Sequence, residues 1–202
     1  MNILILGGFL GSGKTSQLIR LAEYVIGTDE NIDGARVVIL ENEIGEVGVD
    51  DTILTAGGLT VRNLFAGCIC CSLSGELIPT LRKLEQEFDP ELVIIEATGV
   101  ACPEQIKSTL VQVIPGSNIR ICTIVDAKRW NRIKRALANL VENQLIDADT
   151  VLVNKIDLVD PDVPAQVIEE LREINPEPKF FTVSAMTESD PAVWRAVLGE
   201  EE

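Results

Sequence analysis

Two short stretches of the chain have residue types and spacing suited to holding a nucleotide. Residues 8–15 read Gly8-Phe9-Leu10-Gly11-Ser12-Gly13-Lys14-Thr15, the G-x-x-x-x-G-K-T pattern, followed by Ser16. Glycines there let backbone N–H groups turn inward around phosphate oxygens, and the helix start behind them adds positive potential. Lys14 is placed to reach the β- and γ-phosphates, and the Thr15 hydroxyl to ligate Mg²⁺. The second stretch is Asn154-Lys155-Ile156-Asp157. A carboxylate at Asp157 can accept two hydrogen bonds from guanine N1–H and the N2 amino group, a pair adenine cannot supply. Asn154 suits the O6/N7 side of the base, and the Lys155 stem suits the ring face. An unpaired buried carboxylate costs roughly 1–3 kcal/mol, so adenine should be disfavoured by about tenfold or more. Ser184-Ala185, after the last apolar run, offers a backbone contact to the base or simply ends a strand. Together these motifs predict GTP and GDP as ligands.

Glu96-Ala97-Thr98-Gly99 closes the apolar run Leu92-Val93-Ile94-Ile95. An acid at that position beside a phosphate loop holds Mg²⁺ through water, and Gly99 can bring its N–H to the γ-phosphate. A third cluster is of another chemistry: Gly67-Cys68-Ile69-Cys70-Cys71 sets three of the five cysteines within four residues. Neighbours this close do not form an unstrained disulfide. Thiolates are soft donors suited to Zn²⁺, Co²⁺, Ni²⁺ or Cu⁺. Cys68 and Cys70 can point one way while Cys71 points elsewhere, so two sulfurs per metal ion are expected. Histidine is absent from the chain, so further ligands must be sought among carboxylates. Asp29, Glu30, Asp33, Glu41, Glu43, Glu46, Asp50 and Asp51 crowd one segment, with Arg36 the nearby base. Cys102 and Cys122 read as small packing residues.

These motifs need a frame, and the hydrophobic pattern supplies one. Runs at 2–7, 36–41, 91–96, 119–126, 150–154 and 179–184 are rich in Val and Ile and nearly unbroken, as strands buried on both faces should be. Helical spacing follows over 76–88, 128–141 and 163–174, with Trp130, Ile133, Leu137 and Leu140 on one face of the second. Alternation of this kind predicts an α/β fold: a P-loop NTPase three-layer sandwich around a mainly parallel sheet, with ligands at the C-terminal strand ends. The 202 residues suit a single domain. Residues 42–74 break the rhythm, with five glycines and no convincing long element, and are expected to form a nucleotide-sensing insertion.

Net charge is −15, from 32 acidic and 17 basic residues. Such a field disfavours nucleic acid and anionic membrane surfaces as partners. No apolar run nears the ~20 residues of a membrane span, and Met1-Asn2-Ile3 leads directly into a strand. With clustered rather than distributed cysteines, the expectation is a cytoplasmic protein.

Taken in order, the phosphate loop, Glu41-Asn42-Glu43-Ile44-Gly45-Glu46-Val47-Gly48-Val49-Asp50, the C-x-C-C element, Glu96-x-x-Gly99 with Pro103, and Asn154-Lys155-Ile156-Asp157 resemble the GTPase domain of the CobW-like metallochaperones. These are relatives of the hydrogenase and urease nickel-insertion GTPases. The resemblance implies slow GTP hydrolysis coupled to delivery of a divalent metal, Zn²⁺ or Co²⁺, to a client metalloprotein or cobalamin-related pathway. It implies metal ligation by Cys70 with Cys68 or Cys71, and by Glu41 and Glu46. Glu43 and Asp50 would belong to the nucleotide-responsive switch, near Mg²⁺ and the attacking water. Typical members continue into a second, C-terminal domain, which is not expected within these 202 residues, and many carry a histidine-rich stretch that is not present here. With no obvious arginine finger, a dimer partner or the client would complete the site. An alternative is a GTP-dependent switch that regulates or reactivates a corrinoid or metalloenzyme partner without delivering metal. An ordinary small-molecule kinase would not need the guanine motif.

Overall fold

The computed structural model describes residues 1–27, 37–41, 54–56, 59–63, 77–187 and 189–200, with backbone alone for Ile26, Glu41, 54–56 and 59–63. Eight strands are found among them: β1 Asn2–Gly7, β2 Val37–Glu41, β3 Leu54–Ala56, β4 Leu59–Asn63, β5 Leu92–Glu96, β6 Asn118–Asp126, β7 Thr150–Asn154 and β8 Lys179–Thr182. They form one sheet in the order β3-β4-β2-β5-β1-β6-β7-β8. All neighbours run parallel except β3 against β4. The expected mainly parallel sheet is present.

Helices cover both faces: α1 Lys14–Gly27, α2 Leu77–Phe88, α3 Pro103–Val113, α4 Trp130–Ala136, α5 Ala138–Leu145, α6 Val163–Ile174 and α7 Pro191–Leu198. Strand periodicity sorts the core into two layers. On β1, Ile3 and Ile5 join Leu81 of α2, Ile106 of α3, Val141 of α5 and Leu171 of α6. Leu4 and Leu6 point the other way, toward Leu18 and Leu21 of α1 and Trp194 of α7. Because β1, β5 and β7 are buried on both faces, each reads as a continuous apolar run rather than an alternation.

One expectation requires correction. The stretch 128–141 is not one helix: Leu137 leaves helical geometry at φ −136°, ψ 39°, separating α4 from α5. Neither Gly nor Pro marks the break. It lets Trp130 sink into the core with its indole N–H donating to Glu170 at 2.7 Å, while Val141, Gln144 and Leu145 of α5 are buried separately. Leu137, expected on the apolar face, is 40% exposed. Within 42–74, where no long element was expected, β3 and β4 pair as a short antiparallel ladder that extends the sheet beyond β2. Three- and five-residue strands are too short to stand out by hydrophobic pattern.

The layout brings chemistry to one rim. β1 sits between β5 and β6, where chain order reverses, and such a reversal opens a crevice beyond the C-terminal strand ends. Parallel register then places Glu41 beside Glu96, and Asp126 beside Asn154, at that same rim.

Candidate functional site

β1 ends at Gly7 and α1 begins at Lys14, so residues 8–13 make the turn between them. Gly8, Gly11 and Gly13 adopt φ of 129°, 70° and 99°, a region that L side chains rarely enter. A Cβ at Gly8 would strike the Ile124 carbonyl, and one at Gly13 the Asn154 amide.

Every carbonyl from Gly8 to Ser12 accepts a side-chain hydrogen bond. The Lys14 ammonium donates to Gly8 O at 3.0 Å and Phe9 O at 3.4 Å. Arg129 Nη2 donates to Leu10 O at 2.7 Å, Lys155 Nζ donates to Gly11 O, and Asn154 Nδ2 donates to Ser12 O at 2.9 Å. In a trans peptide the N–H points opposite to the C=O of the same plane. Carbonyls 10–12, engaged by groups from β7 and the β6–α4 turn, therefore leave the N–H groups of Gly11 and Gly13 directed the other way, as an anion cradle requires. Two further features suit a phosphate. Burial lowers the Lys14 pKa, opposed by nearby Glu96, and the ammonium's hydrogen-bond partners are carbonyls rather than carboxylates. The Ser12 hydroxyl is buried inside the loop and has no hydrogen-bond partner among the described residues.

Thr15, in the first turn of α1, faces the end of β5, and its hydroxyl lies 3.2 and 3.1 Å from the two carboxylate oxygens of Glu96. Hydroxyl and carboxylate side by side are a hard-oxygen donor set suited to a small divalent cation such as Mg²⁺. Ser16 is exposed on the same turn. Beyond β5 the chain passes close to the phosphate loop, where a Cβ at Gly99 would lie 2.5 Å from Leu10 N. Glycine at 99 is thus a condition of contact between the two segments. Gln144 of α5 also joins them: its Oε1 accepts from Gly8 N at 2.6 Å, and its Nε2 donates to Ala101 O.

At the other end, Asn154 is 1% exposed, and both ends of its amide are engaged, with Oδ1 accepting from Gln17 Nε2 at 2.9 Å. The structure thus gives Asn154 a bracing role between β7, the phosphate loop and α1 that the motif alone did not suggest. Lys155 holds a left-handed conformation, φ 65° and ψ 34°, that costs a non-glycine residue about 1–2 kcal/mol. Its ammonium bridges Gly11 O and Asp126 Oδ2, the latter at 2.8 Å. Asp157 is exposed and accepts from Ser184 Oγ at 2.6 Å, so the base motif and Ser184-Ala185 meet. Ala185 O accepts from Arg20 of α1 at 3.0 Å.

Asp126, Arg129 and Gln144 were missed by the motifs. Asp126 closes β6 as Glu96 closes β5, and a polar residue ending an apolar strand beside β1 was the available signal. Burial pushes its carboxyl pKa up, but hydrogen bonds from Lys155 and Arg129 outweigh that and hold it below the usual carboxylate range. Arg129 Nε approaches Asp126 Oδ2 to 2.7 Å.

The expected metal set is not described to the same extent. Glu41 ends β2 at the functional rim, seen in backbone only. Glu43, Glu46, Asp50, Cys68, Cys70 and Cys71 lie outside the described residues. Cys122 is fully buried, and burial pushes its thiol pKa up to about 12. Cys102 donates from Sγ to Asn143 O at 3.4 Å, before the start of α3. Both are packing residues.

Comparison with known proteins agrees with this geometry. The chain is 29% identical over 231 residues to "Zinc chaperone CobW" of Sinorhizobium sp, covering 97% of this chain and 59% of that protein. It is 31% identical over 186 residues to "Zinc-regulated GTPase metalloprotein activator 1" of Schizosaccharomyces pombe, covering 86% of this chain and 43% of that one. The chain thus spans about half the length of these curated relatives. In fold it is similar to the Zn(II)-bound YjiA GTPase from E. coli, with TM-score 0.69, 23% identity, and coverage of 100% of this chain and 63% of that one. Residues 2–182 match the family described as "CobW/HypB/UreG, nucleotide-binding domain", and the chain belongs to that family.

Proposed function

We propose that this domain binds and slowly hydrolyses GTP and couples the nucleotide state to capture and delivery of a divalent transition metal, Zn²⁺ or Co²⁺. The recipient is a client metalloprotein or a cobalamin-related pathway, and the setting is the cytoplasm. The observation that carries this reading is the junction of the guanine motif with the phosphate loop: Asn154 and Lys155 bond directly to Ser12 and Gly11. The names of the relatives, a zinc chaperone and a zinc-regulated GTPase metalloprotein activator, support the metal half.

In this mechanism the Asp157 carboxylate pairs with guanine N1–H and N2, and the Lys155 stem covers the ring. Lys14 exchanges Gly8 O and Phe9 O for phosphate oxygens, trading neutral acceptors for charged ones and roughly doubling the strength of each hydrogen bond. Thr15 and Glu96 would hold Mg²⁺, which when bound would supply neutralising charge to the β- and γ-phosphates. Glu43 and Asp50 orient the attacking water. GTP orders the segment 42–67 so that Glu41, Glu46 and two of Cys68, Cys70 and Cys71 come into ligand range; hydrolysis releases it and the metal leaves. Linkage requires that metal tighten GTP binding by the factor by which GTP tightens metal binding.

Competition titration of Zn²⁺ and Co²⁺ against the GTP-loaded, GDP-loaded and nucleotide-free protein tests this. Affinity should be highest with GTP; equal affinity in all three forms would exclude the coupling. Preference for GTP over ATP should be at least about tenfold and should vanish in Asp157→Ala.

A further inference from the structure

We infer that Arg129 is a catalytic residue of the GTPase reaction, an arginine supplied from within the chain to the phosphate loop; this rests on the proposed GTPase function. Arg129 lies in the turn between β6 and α4, at the crevice beside β1. Its guanidinium lies over Gly11: a Cβ there would stand 3.2 Å from Nη2, 3.4 Å from Nη1 and 3.6 Å from Cζ. One end is fixed, since Asp126 accepts from the Arg129 backbone N at 3.1 Å and from Nε at 2.7 Å. The other end is held only by Leu10 O, and Nη1 has no hydrogen-bond partner among the described residues. The side chain is 41% exposed. A tethered guanidinium with spare donors above the phosphate loop is placed to turn toward a triphosphate without losing its anchor.

Charge balance points the same way. Asp126 faces two cations, Arg129 and Lys155. Among the described residues, one positive charge is therefore in surplus at the side of the loop formed by Leu10 and Gly11. In hydrolysis the water oxygen bonds to the γ-phosphorus and the bond to the β–γ bridging oxygen breaks. That oxygen keeps the electron pair and leaves as part of GDP, and the water's proton is released. Negative charge thus grows on the bridging oxygen in the transition state, and the Arg129 guanidinium would neutralise it there.

The test compares Arg129→Ala and Arg129→Lys with the unaltered chain, using single-turnover GTP hydrolysis and the affinities for GTP, GDP and GDP with aluminium fluoride. Arg129→Ala should slow hydrolysis by about 100-fold. GTP and GDP affinities should stay within about threefold, while affinity for the aluminium fluoride complex should fall with the rate. Arg129→Lys should restore little, because a point ammonium cannot hold Asp126 and a phosphate in the same fork. An unchanged rate in Arg129→Ala overturns the inference alone. So do GTP and GDP affinities that fall by the same factor as the rate, since a merely structural support of the loop would behave in that way. An unaltered chain that fails to bind or hydrolyse GTP overturns the reading beneath it as well.

Discussion

The two rims of the sheet treat their charges differently. At the N-terminal rim two cations, Lys107 and Arg120, meet two carboxylates, Asp147 and Asp149. Lys107 contacts Asp147 at 2.8 Å and Asp149 at 3.9 Å, and Arg120 contacts Asp149 at 3.8 Å while donating to Val197 O and Ala196 O. A hollow of about 250 Å³ lies there, lined in part by Tyr24, Leu92, Arg120 and Val197. At the C-terminal rim Lys14, Arg129 and Lys155 face backbone carbonyls and share Asp126 and Glu96. Balanced charges close a structure; cations lodged on carbonyls are available to a stronger acceptor. A ligand surface can thus be made of backbone and cations, while a separate hollow lies at the opposite rim.

Substitutions at the two rims should separate accordingly. Lys14→Ala should lower GTP affinity by about 100-fold, measured by calorimetry, as expected for losing a desolvated charged partner. Its thermal midpoint should not fall, because a desolvated ammonium hydrogen-bonded to carbonyls is removed. Gln144→Leu should cost about 2 kcal/mol in denaturant unfolding, since Gly8 N–H and Ala101 O both lose their partner. By contrast, Arg120→Ala at the N-terminal rim should cost about 1 kcal/mol or less and leave nucleotide affinity unchanged. If it weakens GTP binding as Lys14→Ala does, the division between the rims fails.

The smallest effect is in pH dependence. The folded pKa of Asp126 is held below its unfolded value, so its contribution to stability is present in full above about pH 4 and is lost as pH falls through the folded pKa. Unfolding free energy of Asp126→Asn should therefore decline less steeply below about pH 4 than that of the unaltered chain.

Most of the frame was legible because parallel strands buried on both faces leave unmistakable apolar runs; β5 and β7 begin and end within one residue of those runs. The phosphate loop and Asp157 were legible because their chemistry is local in sequence. Gln144 was not, since its partners Gly8 and Ala101 lie 136 and 43 residues away and nothing near Gln144 refers to them. The division of α4 from α5 was hidden for a related reason. Helical propensity runs unbroken through Leu137, and the break answers to where Trp130 and Gln144 must be buried. Asn154 was half legible: the motif named it, but not its amide's duty to Ser12 and Gln17.

That amide has a consequence for how the site is filled. Since β7, the phosphate loop and α1 are already fastened together through Asn154, neither half of a nucleotide has to shape the pocket for the other. Guanosine and pyrophosphate, supplied as separate molecules, should occupy their places almost independently. The advantage of the intact nucleotide would then come from the covalent tether between its halves.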